Sequence, residues 1–560
     1  MKNILILIII FINCIIFANT GSITGVVIDH DTQQPLIGAN VIINNQNLGA
    51  ACDESGKFRI NNILPGSYTI TTTMIGYTPL SKTNINVYSN RQTPIKIQLE
   101  AAVLIGEKVL VKSKYFEKAK DGIVSTQTID REAIRSDPVG VYDVQMMVHS
   151  LPSVVTGTDQ NNEIIVRGGG PGENLFVVDN LEIPNPNHFG EVGTGGGPVN
   201  IINTEFVERV DFFAGGFPAK YGDKQSSVMN MHLREGNYNN HEIDWEMSMA
   251  GLGFLIEGPI INKKASYMSS YRKSFVKYII KSAGLSSVPE YSNTQHKITY
   301  NINSKKQIIA NFIGAIDAVD IVDENRPDLK GAENVNYSGY QYTGGITYKS
   351  LFSKNGYFLF SLGKTSSSWD ANVYSNKFGI VDTFFVRNNI ESDSFAKWDF
   401  VYKVRDDLEI SAGFNTKLGY YNMKEYLDPD TLFIYDYPNL NEDQINELNN
   451  FSNYYELIQQ KPEYLELMQE FTKIDQYTVY PGFINDNEGD LWKNALYAQL
   501  KYKWNSLILT AGIRYDNVRY NKTSTFSPRF GMSFILSPIT KINFAAGLFY
   551  QTPSYWMFMN

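Results

Sequence analysis

From about residue 238 onward, apolar and polar side chains trade places at every second position in run after run. Ile243, Trp245, Met247 and Met249 alternate with Asp244, Glu246 and Ser248. Phe358, Phe360 and Leu362 do the same with less uniform partners. Ala498, Leu500, Tyr502 and Trp504 alternate with Gln499, Lys501 and Lys503, and Leu507, Leu509, Ala511 and Ile513 with Thr510, Gly512 and Arg514. Ile542, Phe544, Ala546 and Leu548 follow Lys541. A period of two belongs to a strand whose faces meet different surroundings. A water-soluble sandwich produces it too, with one face buried and one wet. Length and number favour a different answer. Roughly 13 runs occur, many of them as long as the 9–11 residues that a membrane-crossing strand needs. The apolar face then meets lipid and the polar face a wet lumen. Lateral closure of such strands leaves no unpaired backbone in hydrocarbon.

The start of the chain agrees with export. Lys2 precedes an apolar run, Ile4 to Phe17, broken by Asn13, and Ala18 offers a cleavage point with Ile16 two places before it. Residues 1–18 therefore read as a signal peptide. Only Cys14 and Cys52 are present, so the mature chain would hold one thiol and no disulfide. Its stability must come from packing and β-ladders. The net charge of −9 leaves no basic face for nucleic acid. The six histidines are scattered, and no HExxH, GxSxG, CxxC or GxxxxGK[ST] pattern occurs. No catalytic residue, metal site or cofactor is expected.

Residues 21–100 form short apolar runs separated by turn residues: Gly25 to Ile28, Ala39 to Ile43, Lys57 to Ile60 and Tyr68 to Thr71. Asp53-Glu54-Ser55-Gly56 places Asp and Gly at the first and last positions of a type I turn, and Leu64-Pro65-Gly66 marks another. This spacing predicts a small β-sandwich. The strings Gly25-Val26-Val27, Pro35 to Val41, Asp53 to Phe58, Pro65 to Tyr68 and Ile75-Gly76-Tyr77 resemble the carboxypeptidase-regulatory-like domain, with Cys52 where a small hydroxyl residue is more usual. The resemblance implies a non-catalytic module, either a spacer or a docking surface for a partner.

Residues 119–235 mix helical and extended patterns. Asp130 is a candidate N-cap for a helix beginning at Arg131. Val141, Val144, Met147 and Val148 fall near helical spacing between Val139 and Ser150, and Leu151-Pro152 ends that helix. Glu163 to Arg167, Asn174 to Asp179 and Phe206 to Phe213 read as strands. The glycines at 168–170 permit positive φ. A strand follows Gly172 instead of the helix N-terminus that a phosphate cradle requires, so nucleotide binding is rejected.

An ordered set of short strings in this region resembles the plug of TonB-dependent receptors: Leu151-Pro152-Ser153-Val154, Val166-Arg167-Gly168-Gly169, Phe176 to Asn180, Val207 to Val210 and Ala219 to Asp223. The resemblance implies a plug at 119–235 inside a 22-stranded barrel. Residues 238–560 would supply about 13 of those 22 strands, so the expected fold is mainly β: a sandwich, an α/β plug and an incomplete antiparallel transmembrane β-barrel. Within the linker 104–118, Glu107, Lys108, Val109, Leu110 and Val111 form an extended-prone run that could add to a partner's sheet edge. By resemblance, this is a candidate TonB box; the plainer reading is the plug's first strand. Arg167, Glu208, Arg209 and Asp223 are candidate plug–barrel contacts, because an arginine inside a wide barrel has acidic groups of the inner wall to pair with.

Residues 426–490 interrupt the strands with 14 Asp or Glu against 2 Lys. Short helices are expected at 442–450 and 462–471 in what reads as a long outer loop. It is either a solvated loop or a lid or rim that attracts cations. The function implied is active import of a scarce ligand across the outer membrane: ferric siderophore, glycan or peptide. The expected partners are the TonB complex, outer-membrane lipid, the extracellular ligand and a candidate surface lipoprotein, with no nucleic acid. The alternative is a surface-binding or signalling receptor without transport.

Overall fold

A computed structural model describes residues 20–101, 124–138, 143–157, 161–190, 193–248, 251–261, 263–275, 287–321, 334–377, 380–436, 438–448, 461–467, 472–520, 522–537 and 540–558. The signal-peptide and linker readings, including Glu107 to Val111, lie outside the described residues.

The N-terminal unit is a sandwich of seven strands: β1 (Gly21–Asp29), β2 (Asn40–Ile43), β3 (Gly49–Ala51), β4 (Lys57–Ile63), β5 (Gly66–Thr73), β6 (Leu80–Val87) and β7 (Gln92–Leu99). One sheet has the order β4-β1-β7 and the other β3-β2-β5-β6. Inward residues such as Ile23, Val27 and Ile97 from the first meet Val41, Ile70 and Ile85 from the second. Cys52 joins this core. The turn at Asp53 forms as its residue types dictate. Gly56 N donates to Asp53 O at 2.9 Å, and the Asp53 carboxylate accepts from Ser55 N at 2.8 Å.

The second unit contains β8 (Thr126–Asp130), α1 (Arg131–Ser136), α2 (Val144–Met147), β9 (Val154–Val155), β10 (Ile165–Val166), β11 (Asn174–Val178), β12 (Leu181–Ile183), β13 (Asn187–His188), β14 (Val199–Asn200), β15 (Val207–Phe213) and β16 (Ser227–Leu233). Its central sheet has the order β12-β11-β16-β15-β8. Asp130 caps α1, accepting from Ala133 N at 2.9 Å. The second helix is shorter than the helical spacing suggests: α2 begins after its own cap, Asp143, and a 3-10 turn over Val148–Ser150 completes it. The strand expected at Glu163 to Arg167 shrinks to the two residues of β10. All five residues of β11 are buried, because both faces of this sheet are covered. The core around Phe176, Phe206, Val210 and Met229 continues into Leu255, Met268 and Ile313 of the barrel wall.

The third unit is a 13-stranded antiparallel sheet. Its strands are β17 (Glu242–Ser248), β18 (Gly251–Ile261), β19 (Ala265–Lys273), β20 (Ser287–Asn303), β21 (Lys306–Ile321), β22 (Asn334–Ser353), β23 (Gly356–Lys377), β24 (Ile380–Arg405), β25 (Leu408–Leu427), β28 (Phe483–Trp504), β29 (Leu507–Val518), β30 (Thr523–Ser537) and β31 (Thr540–Gly547). Between β25 and β28 a separate ribbon of β26 (Asp430–Asp436) and β27 (Thr472–Tyr480) carries α3 (Glu442–Leu448) and α4 (Tyr464–Leu467). The excursion is thus narrower than 426–490, because β25 and β28 run on into it. At 20 and 22 residues they exceed what a bilayer requires.

The alternation seen in sequence maps onto the two faces of this sheet. Trp245, Met247, Leu362, Leu500, Ile513 and Phe544 lie on the outside and are exposed. Their polar neighbours Gln499, Thr510 and Arg514 point inward and are buried. Links of two residues (304–305, 354–355, 406–407, 505–506) lie at one end of the strands; at the other end, longer stretches of sequence separate β19 from β20 and β21 from β22, and two residues separate β23 from β24. Short turns mark the periplasmic end of such barrels and long loops the outer end.

Candidate functional site

Besides the shared apolar core, polar contacts hold the plug-like unit in the curve of the sheet, and one group of them comes from a hairpin tip. Asp179 and Asn180 join β11 to β12 with φ of +45° and +74°. Both central residues of a type I′ turn need positive φ, and Asp and Asn tolerate it. Asp179 meets Lys297 Nζ of β20 at 2.7 Å and accepts from Leu233 N at 3.0 Å. Asn180 donates to Asp399 at 3.0 Å and accepts from Lys397 at 2.9 Å, both on β24. Further along, Glu182 pairs with Lys417 of β25 at 2.5 Å.

Burial raises the pKa of the Asp179 carboxyl; the Lys297 ammonium, the Leu233 N–H and His232 together outweigh it and hold the group below the usual range. The same contest, won by Lys417 and then Lys397, lowers Glu182. These carboxylates stay charged inside the protein because a wall lysine faces each one.

A second set of contacts grips backbone. Arg529 of β30 donates to the carbonyls of Phe217, Pro218 and Tyr221 at 3.1, 2.6 and 2.8 Å. Arg514 of β29 donates to those of Ala219 and Lys220 at 3.3 and 3.1 Å. Gln499 of β28 accepts from Ala219 N at 3.1 Å. On the opposite flank Arg234, just past β16, forms a two-pronged pair with Glu257 of β18, both contacts at 2.7 Å. Nearer the outer end, buried His188 lies between Asp317 at 2.5 Å and Asn293 at 3.1 Å.

The four residues singled out from sequence go to three different places. Asp223 reaches the wall, 3.0 Å from Lys493 of β28, and accepts from Thr552 N at 2.7 Å. Burial opposes its ionisation, and Lys493 with Lys417 more than offsets that, so its pKa falls. Arg167 stays within its own unit and donates to Ser125; its φ of +52° turns it there, away from the wall. Glu208 and Arg209 face the N-terminal sandwich. Glu208 accepts from Lys96 N at 3.2 Å, and Arg209 donates to Gln98 at 2.7 Å. They sit on β15, on the periplasmic side where the sandwich docks. Asp179, Asn180, Glu182, Arg514 and Arg529 were not singled out. The one local signal was Asp-Asn between apolar runs, a two-residue hairpin pattern.

A family profile for the TonB-dependent receptor plug domain matches residues 118–228, and one for the TonB-dependent receptor-like β-barrel matches residues 291–560. The chain belongs to the TonB-dependent receptor family. A CarboxypepD_reg-like domain profile matches residues 23–111 of this receptor. The TonB-dependent transporter Oar of Myxococcus xanthus is 24% identical to it over 298 residues, which are 47% of this chain and 27% of that protein. Among solved structures, a mutant of the ferric enterobactin receptor PfeA from Pseudomonas aeruginosa aligns with a TM-score of 0.51 at 14% identity, covering 78% of this chain and 63% of the other. The siderophore receptor PirA from Acinetobacter baumannii gives 0.50 at 15%, covering 77% and 62%. The chain therefore spans less than two thirds of each of these relatives, and the likeness to the solved structures is one of fold. The receptor is an outer-membrane protein, and the outward face of its sheet is apolar and exposed.

Proposed function

We propose that the receptor imports a scarce ligand across the outer membrane, driven by TonB. The observation that carries this reading is the plug's attachment. Charged and amide contacts tie it to the lumen wall, and water can replace each of them once the plug shifts. The apolar part of the seam, where the plug core meets Leu255, Met268 and Ile313 of the wall, is what a pull has to overcome. The sheet order puts β8, the first described plug strand, at an edge. A pull applied just before it would peel one strand instead of shearing the whole sheet. Glu107, Lys108, Val109, Leu110 and Val111 precede that edge, and we assign them to TonB. Asp223 holds the plug to the wall at the far side.

The outer membrane carries no comparable proton gradient of its own, so the energy must arrive as this pull. No covalent step is needed and no catalytic residue is assigned. The ligand is a ferric siderophore, a glycan or a peptide; for the last two a surface lipoprotein is the expected helper. Replacing 107–111 with a Gly/Ser run tests the scheme. Ligand binding by whole cells should persist while uptake is lost. Uptake at the wild-type rate would overturn the assignment. Growth compared under iron limitation and on polymeric glycans then separates the ligand classes.

A further inference from the structure

The sandwich lies across the short-turn end of the barrel and is fastened at three places. At one arc of the rim, the β1–β2 loop presents Asp31 to two wall lysines. Lys503 Nζ lies 3.3 Å and Lys403 Nζ 3.8 Å from its carboxylate. Gln34 in the same loop donates to Ser353 O at 2.7 Å. These partners stand at the periplasmic ends of β28, β24 and β22. The loop is stiffened before it docks: the Asp29 carboxylate accepts from Asp31 N, Thr32 N and Tyr77 OH at 2.9, 2.7 and 2.9 Å. At the other arc Arg91 pairs with Asp244 of β17, the first strand of the sheet. Between the arcs the edge strand β7 rests on the plug, through Lys96 N to Glu208 and Gln98 to Arg209. The module is thus fixed to both arcs and to the plug between them.

We propose that the sandwich is a periplasmic cap, and that its release from the rim precedes movement of the plug. The cap is fastened by charge more than by apolar area. Asp31 and Lys403 are both largely buried, so their pairing is poorly screened by salt. Breaking it separates largely buried charges, which costs more than losing an exposed pair. Glu208 and Arg209 acquire a role here: they join plug to cap, so neither shifts without straining the other. The requirement for release rests on the import reading; the docked position does not.

The test uses the full receptor in lipid bilayers, with hydrogen exchange read on plug peptides 131–137 and 204–213. The variants are Asp31→Lys, on the sandwich alone, and Lys403→Glu with Lys503→Glu, on the rim alone. Exchange on both peptides should rise about fivefold or more in each, with barrel strands unchanged. Combining all three substitutions should restore the wild-type rate, because the charges then pair with signs exchanged. Wild-type exchange in both separate variants overturns the docking. Titration with a TonB periplasmic fragment tests release. Tighter binding by the variants supports it, and equal binding overturns it. A fragment that binds none of the proteins removes the import reading and release together, while the exchange data still decide the docking.

Discussion

Replacing Lys297 with methionine removes the cation that Asp179 faces at 2.7 Å and keeps most of the side chain's bulk. The two side chains are 3% and 10% exposed, so little water can take the ammonium's place. Asp179 is not stranded, because Leu233 N at 3.0 Å and Asn311 Nδ2 at 3.2 Å still donate to it. Breaking a buried pair from one side costs about 3–5 kcal/mol. The two surviving donors put the expectation at the low end, about 3 kcal/mol, or roughly a hundredfold in local opening. The sign with pH follows from the carboxyl. In the wild type its folded pKa is depressed, so its contribution is present above the unfolded pKa and fades as pH falls through the folded value. Without Lys297, burial prevails and the folded pKa rises above the unfolded one. The penalty is then largest near neutral pH and shrinks as pH falls toward the carboxylate range. Hydrogen exchange on peptide 174–183 in bilayers, corrected for intrinsic rates at each pH, measures this. Asp179→Asn together with Lys297→Met should recover most of the loss. A wild-type rate for Lys297→Met at neutral pH, or a double variant worse than the single one, would refute the reasoning.

Arg529→Lys keeps the charge and loses the guanidinium Nη1 that reaches three carbonyls. It should weaken the hold on 217–221 by about 1.5–3 kcal/mol, read as faster exchange there. Leu500→Arg puts a cation on the lipid face and should cost about 2–4 kcal/mol in a folding titration into bilayers. Gly25→Ala would place a Cβ 2.3 Å from Ile95 O and 2.8 Å from the Phe58 ring. The sandwich should lose about 1–3 kcal/mol, seen as faster exchange in 21–29 and 92–99 while the barrel strands stay protected.

The barrel was legible because lipid and water impose a period of two that neighbouring residues reveal by themselves. The cap at Asp130 and the turn at Asp53 were legible for the same reason, since each is closed within four residues. The seam was not. Asp223 and Lys493 are 270 positions apart, and no local pattern says which wall residue a plug charge will meet. Residue type alone put Arg167, Glu208 and Arg209 at the wall, whereas the fold leaves one exposed against Ser125 of its own unit and gives two to the sandwich. Helix spacing from Val139 overstated the second helix because Asp143 starts a new cap, and residues 139–142 lie outside the described residues.

Arg514 and Arg529 take hold of peptide oxygens, and every amino acid supplies one of those. Side chains from Phe217 to Tyr221 can therefore be exchanged without deleting a single acceptor. A relative can drift at these positions and still be clasped at the same place, provided its chain follows the same course. Covariation between wall and plug would then be silent at this clasp. It should be sought at the lysine–carboxylate pegs, where one change has to be answered by another.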